Sequence, residues 1–301
     1  KNFKIIDFQL HIPGRIKNYF PRLYYHYMSF IVKRISALLN NDIFLSIDFS
    51  RDLSFSLTKA NYFNAKHKIF FPVDNPHIDY INNSKNISDM YFSISEDILK
   101  MINKGNNYHY CLGHSVSSDF FTNEIIINKY NPLSINIGYV GNFFMDNIDY
   151  DTIIQLVKTN RGINFHFIGP NEVKNQDNNL GVSHNNIKSI RVLEAQNNTI
   201  FHGVLYKKQL VKLSRNLDAM FLCYFEVGSH SAAPVNSHKI LEFLALGKVV
   251  ISNYFEDYKL HNDDLIFMPN KNHTSSQYIN KFKLVIDDLD NWSNERFLKK
   301  R

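Results

Sequence analysis

From residue 134 to about residue 290 the chain alternates short β-branched or aromatic runs with amphipathic stretches of ten or so residues, and this rhythm restricts the fold more than any single motif. SINIGYVGN (134–142) is an apolar run ending at Gly141. DYDTIIQLVKTN (149–160) places Ile153, Ile154, Leu156 and Val157 on one helical side, with Asp149 and Asp151 favouring its first turn. NFHFIGP (164–170) alternates and stops at Gly-Pro, as a strand followed by a turn does. An irregular Asn-rich region follows. The pattern then resumes with a strand in NNTIFHGVL (197–205), a helix in YKKQLVKLSRN (206–216) and a buried strand in DAMFLCYF (218–225). A helix, VVIS, the strand DLIFMPN (264–270) and a last helix in YINKFKLVIDDL complete it. Strands separated by helices form βαβ units, so this half is expected to be one doubly wound parallel sheet.

The first half repeats the style. KIIDFQL, DIFLSID (42–48), KIFFPVD (68–74) and DMYFSIS (89–95) read as strands, with a helix over 24–39. Ligands bind at the ends of parallel strands, which draws attention to Asp48 and Asp74. A chain of 301 residues exceeds what one core usually organises, and the Pro flanked by polar residues in NKYNPLS (128–134) is the natural joint. The expected architecture is α/β: two Rossmann-like doubly wound domains, 1–130 and 131–285, facing one another across a cleft. A C-terminal helix over 286–301 is expected to return to the first domain. The chain begins without Met, which suggests a fragment starting inside its first domain.

The net charge of +6 suits anionic substrates or a membrane surface but is far below the clustered charge of a nucleic-acid binder, and no nucleic-acid partner is expected. Cys111 and Cys223 lie far apart in apolar surroundings, which fits buried free thiols in a reducing cytoplasm. No run reaches the eighteen or so apolar residues of a membrane span. The 13 histidines are scattered, so no metal site is expected.

The most informative stretch is NSHKILEFLALGKVVIS (236–252). Asn236 or Ser237 is a good N-cap, Ile240, Leu241, Phe243, Leu244 and Leu246 make most of the helix a core surface, and Gly247 ends it. Lys239 and Glu242, three apart, share a face near the first turn. A helix N-terminus attracts phosphate, a lysine adds a point charge there, and a carboxylate one turn later can accept from ribose hydroxyls. Together they suit a nucleotide diphosphate.

The order FHG, LVKLSRNLDAMFLCY, Pro234 and KILEFLALGKVVIS resembles the C-terminal, donor-binding domain of GT-B glycosyltransferases of the bacterial polysaccharide and glycolipid type. The matching positions are His202, Gly203, Asp218, Pro234, Lys239, Glu242, Phe243, Ala245, Gly247 and Lys248, with Val249 where Pro is usual. GYVGN resembles the first strand and glycine turn of that domain, and LGHSVSSDFF the end of the acceptor domain. The resemblance covers about residues 89–270. It implies a sugar nucleotide donor, with no separate cofactor, and a glycan or lipid-linked glycan acceptor. It also implies work in the cytoplasm or on the inner face of the membrane. Gly141, Asn142, His202, Ser237, Lys239 and Glu242 are then candidate donor contacts, with the loop EVGSHSAAPVNS (226–237) as a phosphate cradle including His230 and Ser231. A carboxylate of the acceptor domain would be the general base, Asp74 before Asp48.

The sequence departs from the family in two places. Many retaining members carry a second glutamate eight positions before Glu242, where this chain has Pro234. The Arg and Lys that often follow the first glycine turn are missing from GNFFMDNIDYD. Inverting and retaining chemistry both stay open. Each candidate also has a plainer reading. Glu242 and Lys239 can be a surface pair, His202 a strand-end histidine and Gly141 only a tight turn; Lys248 is expected to be a solvated turn charge. The rival functions are a nucleotide-sugar epimerase of the same fold and a non-catalytic nucleotide-binding module. Finally, residues 11–35 interleave Arg15, Lys17, Arg22, Lys33 and Arg34 with Tyr19, Phe20, Tyr24, Tyr25, Tyr27 and Phe30. Such a mixture either meets a bilayer headgroup region or packs its aromatics inward.

Overall fold

The computed structural model describes residues 16–38, 43–47, 67–72, 88–102, 108–121, 134–172, 184–225, 237–262 and 266–293. Its contacts divide the chain into two units, Lys1–Gly113 and His114–Arg301.

In the first unit α1 (Ile16–Tyr19) runs into α2 (Pro21–Leu38), which opens on a proline whose missing N–H costs nothing at a first helical position. Strands β1 (Ile43–Ile47), β2 (His67–Phe71), β3 (Met90–Ser93) and β4 (Tyr108–Cys111) form a parallel sheet in that order, with α3 (Glu96–Ile102) between the last two. Phe70, Tyr91, Leu99 and Ile102 are its buried cluster. Cys111 was expected to be buried but is exposed, because β4 is the end strand among the described residues and all four of its residues face solvent. The expected strand 4–10 lies outside the described residues.

The second unit begins with β5 (Ile135–Val140), α4 (Tyr150–Thr159), β6 (Ile163–Ile168), α5 (His184–Glu194) and β7 (Thr199–Phe201). It continues through α6 (Lys207–Asn216), β8 (Ala219–Phe221), α7 (His238–Ala245), β9 (Val249–Ile251), β10 (Ile266–Phe267) and α8 (Ser275–Asp287). All six strands pair in parallel, in the order β10-β9-β8-β5-β6-β7. The chain moves outward from β5 to β7, then returns to the other side of β5. This reversal makes β5 and β8 the switch point, where open α/β sheets leave a crevice at the strand ends. The core is built on the apolar faces that the sequence periodicity marked, with Ile153, Leu156, Val157, Phe165, Phe167, Phe221 and Phe282 fully buried.

Helix α5 falls in the Asn-rich region that the sequence reading left irregular. Its apolar side is narrow, with Ile190 and Leu193 buried, and its first turn is held instead by Asn186, which donates to the Phe144 and Met145 carbonyls. The contact division also precedes the expected joint. Phe120 packs with Val211, Ala245 and Leu246, which places 114–121 in the second unit, while 128–133 lies outside the described residues. Of the expected returning helix 286–301, residues 286–293 stay in the second core, with Leu289 buried and Trp292 on Phe267 at 4.8 Å between ring centroids.

Candidate functional site

Helix α7 forms because Ile240, Phe243 and Ala245 all reach the core, and it stops cleanly. Gly247 adopts φ 69°, its N–H donates to Leu244 O, and the Lys248 N–H donates to Phe243 O at 3.0 Å, the paired bonds of a glycine-terminated helix. At the other end Ser237 is buried at the N-cap position, but its hydroxyl does not cap the helix; only its carbonyl is used, accepting from Ile240 N–H. Its side chain therefore claims none of the first-turn donors.

Lys239 and Glu242 leave this N-terminal turn half-buried. Burial lowers the Lys239 ammonium pKa, and the Glu242 carboxylate partly opposes that. Burial raises the Glu242 carboxyl pKa, opposed by Lys239 and by Lys207 of α6. Among the described residues neither side chain has a hydrogen-bonding or ion-pairing partner. Two opposite charges, each partly desolvated and each favoured by the other on the first turn of a helix, make a candidate ligand site. Lys207 approaches from the first turn of α6, with Nζ 3.8 Å from Asp119 Oδ2 and 3.5 Å from Ser117 Oγ. The His114 ring lies 5.8 Å from that of His238. Sequence reasoning did not find Lys207, His114 or Asp119. His114 and Asp119 lay in the motif-like GHSVSSDFF and Lys207 in an ordinary helical pattern, and the contacts arise because Phe120 anchors the former segment against α6 and α7.

The strand ends beside this helix are tightly built. The Gly141 N–H donates to Ile168 O, Phe143 N–H to Pro170 O, and Phe144 N–H to Asn142 Oδ1 at 3.0 Å. The amides expected to cradle phosphate near Gly141 are thus largely engaged within the protein, and Asn142 spends its side chain on a local turn. A Cβ on Gly169, which has φ 143°, would sit 1.8 Å from Gly141 O, so this glycine is required by close strand packing.

His202 follows β7 and is part of a polar chain inside the unit. Its Nε2 is 2.9 Å from His166 Nδ1, and His166 Nε2 is 3.2 Å from Asn136 Oδ1. Asn164 Nδ2 donates to that same oxygen, and Asn136 Nδ2 donates to Ser134 O. Since Asn136 Oδ1 accepts, neutral His166 carries its proton on Nε2 and accepts at Nδ1 from His202 Nε2–H. Burial, then the neighbouring His202, lower the His166 pKa to about 4 despite the opposing Asp218; burial lowers His202 as well. Both imidazoles are therefore neutral near pH 7. His166 and Asn136 were invisible in the sequence because they read as ordinary strand positions.

Lys248 overturns its expectation. It is only 7% exposed, and its Nζ donates to the Arg215 and Leu217 carbonyls, each at 2.6 Å. It is a C-terminal cap for α6, where a cation meets the negative end of the helix. Asp48, Asp74, His230, Ser231, Pro234 and Asn236 lie outside the described residues.

No known family profile matches the sequence, and no curated protein does. Solved structures match its fold. Anabaena HepE in complex with UDP-glucose aligns with TM-score 0.65 and 10% identity, over 90% of this chain and 75% of that one. Sucrose-phosphate synthase from Thermosynechococcus elongatus aligns with TM-score 0.70 and 11% identity, over 95% and 73%. The lipopolysaccharide outer core galactosyltransferase WaaB aligns with TM-score 0.62 and 15% identity, over 92% and 76%. These neighbours are GT-B glycosyltransferases, and with its two parallel-sheet α/β units this chain has the GT-B fold.

Proposed function

We propose that this protein is a glycosyltransferase that moves a sugar from a nucleotide diphosphate donor to a glycan or lipid-linked glycan acceptor, in cell-surface polysaccharide synthesis. The observation that carries the reading is the partly buried Lys239 and Glu242 pair on the first turn of α7. A diphosphate at this turn would add a second anion beside Lys239, and would raise the ammonium pKa back toward its ordinary value. The ribose hydroxyls would donate to the Glu242 carboxylate. As the glycosidic bond to the diphosphate breaks, negative charge grows on the leaving oxygen, and Lys239 with the helix amides stabilises it there. A carboxylate in the first unit, Asp74 before Asp48, would take the acceptor hydroxyl proton. Gly141, Asn142, Ser237 and His202 border the donor in this reading, as packing and orienting groups. The fold's neighbours support the donor class, since HepE is seen with UDP-glucose. An acceptor on a lipid carrier would place the enzyme in the cytoplasm at the inner membrane face.

The test is a thermal-shift titration with UDP, ADP, GDP and their glucose conjugates, followed by transfer assays. One of them should raise the midpoint, because a ligand that binds only the folded form adds about 2.7 kcal/mol at a hundredfold excess over Kd. Lys239→Ala and Glu242→Ala should each remove that shift, with circular dichroism confirming that both variants remain folded. No shift with any nucleotide rejects the reading.

One observation favours a second reading, a nucleotide-binding module without turnover: the loop after β5 has neither Lys nor Arg, and most of its amides are internally bonded. Binding without donor hydrolysis or transfer across an acceptor panel would select it.

A further inference from the structure

We infer that the outward face of α2 is a docking surface for an anionic lipid bilayer. Tyr19, Leu23, His26, Phe30 and Arg34 follow one another at spacings of four, three, four and four, so they line one side of a continuous helical turn path from α1 into α2. That side is turned to solvent. Tyr19 is 78% exposed, Leu23 61% and Phe30 56%, with Phe20 beside them at 63%. Tyr24, on another side of the helix, is 2% exposed. The sequence left two arrangements for these aromatics, inward or toward a headgroup region. The structure turns Tyr24 inward and leaves Tyr19, Leu23 and Phe30 uncovered.

Charge selects the occupant. Residues 16–38 contain Lys17, Arg22, Lys33 and Arg34 and no Asp or Glu. Arg22 and Arg34 are exposed at the border of the apolar side, and the Arg34 guanidinium stands 5.8 Å from the Phe30 ring centre. A second copy of the chain laid face to face would bring Arg22 and Arg34 of both copies together, with no Asp or Glu on the same helices to pair with them. An anionic bilayer instead accepts Tyr19, Leu23 and Phe30 at the acyl boundary and the guanidinium groups among its phosphates. The helix lies in the plane of the surface, since no helix among the described residues is long and apolar enough to cross a membrane. This inference stands apart from the donor site: vesicle binding requires no nucleotide, and its failure would leave the nucleotide titration untouched.

The experiment is flotation of the full chain with vesicles of phosphatidylcholine alone and with about one-third phosphatidylglycerol, at 50 and 500 mM salt. Binding should favour the anionic vesicles and weaken at high salt, where the screening length falls to a few ångström. Leu23→Glu with Phe30→Glu should reduce the partition coefficient at least about tenfold, and Arg22→Glu about fivefold or more. Leu284→Glu, at an exposed apolar position on α8, should change nothing, and circular dichroism checks that each variant is folded. Phe30→Trp should shift its emission to the blue on anionic vesicles. Equal binding to both vesicle types, binding that survives Leu23→Glu with Phe30→Glu, or no binding overturns the proposal. A dimer abolished by Phe30→Glu, or an acidic protein held by this face in place of vesicles, overturns it as well.

Discussion

Acidification should destabilise the second unit through the His166–His202 pair, by an amount that follows from the geometry. His166 has no exposed surface, sits 2.9 Å from a second imidazole, and has its pKa lowered from 6.5 to about 4. The unfolded chain therefore binds a proton below about pH 6.5 that the folded protein refuses until about pH 4. In that window the unfolded state holds more protons, so unfolding free energy rises with pH. The stability is fully present above 6.5 and is lost as pH falls toward 4. A shift of 2.5 units is worth at most about 3.4 kcal/mol, and screening at the more accessible His202 end brings the expected loss to roughly 2–3 kcal/mol. Between pH 7.5 and pH 5 the loss should be about 1.5–2 kcal/mol. The assay is urea unfolding read by Trp292, the chain's one tryptophan, which packs on Phe267 in the core of this unit. His166→Gln removes the refusing group, so its stability should fall less steeply over the same range, whatever its stability at neutral pH. Parallel curves for wild type and variant from pH 7.5 to 5 would refute the reasoning.

Lys248→Met should lower stability by roughly 2–4 kcal/mol, because it strands the Arg215 and Leu217 carbonyls at a buried helix end, while nucleotide-induced shifts persist. Gly169→Ala should cost roughly 2–4 kcal/mol in urea unfolding, since its Cβ would overlap Gly141 O and its backbone lies in the left-handed region. Lys207→Ala leaves Glu242 with one fewer neighbouring cation, so the Glu242 carboxyl pKa should rise further, measurable by carbon NMR of the labelled side chain.

Much of this molecule was legible before any coordinates. Local propensity and hydrophobic period act over ten residues, so the strands at 135–140, 163–168 and 219–221 and the helices at 150–159 and 207–216 declared themselves, as did the glycine stop at 247. The face shared by Lys239 and Glu242 follows from helical spacing alone. Helix α5 escaped because its apolar pair is thin and its start is fastened by Asn186 to a loop forty residues away.

What only the tertiary structure decided are properties made by residues distant in the chain. Lys248 looked like a surface charge until Arg215 and Leu217 supplied buried carbonyls for it. His166 looked like a strand residue until β7 brought His202 against it. Lys207 neared Glu242 only because Val211 of α6 packs in one cluster with Ala245 and Leu246 at the end of α7, and the amides near Gly141 were claimed by β6 and the turn after it. Spacing along a chain determines which side chains share an element's face. Whether a charge there is hydrated, capped or left waiting depends on desolvation and partners, and those are set by what packs across from it.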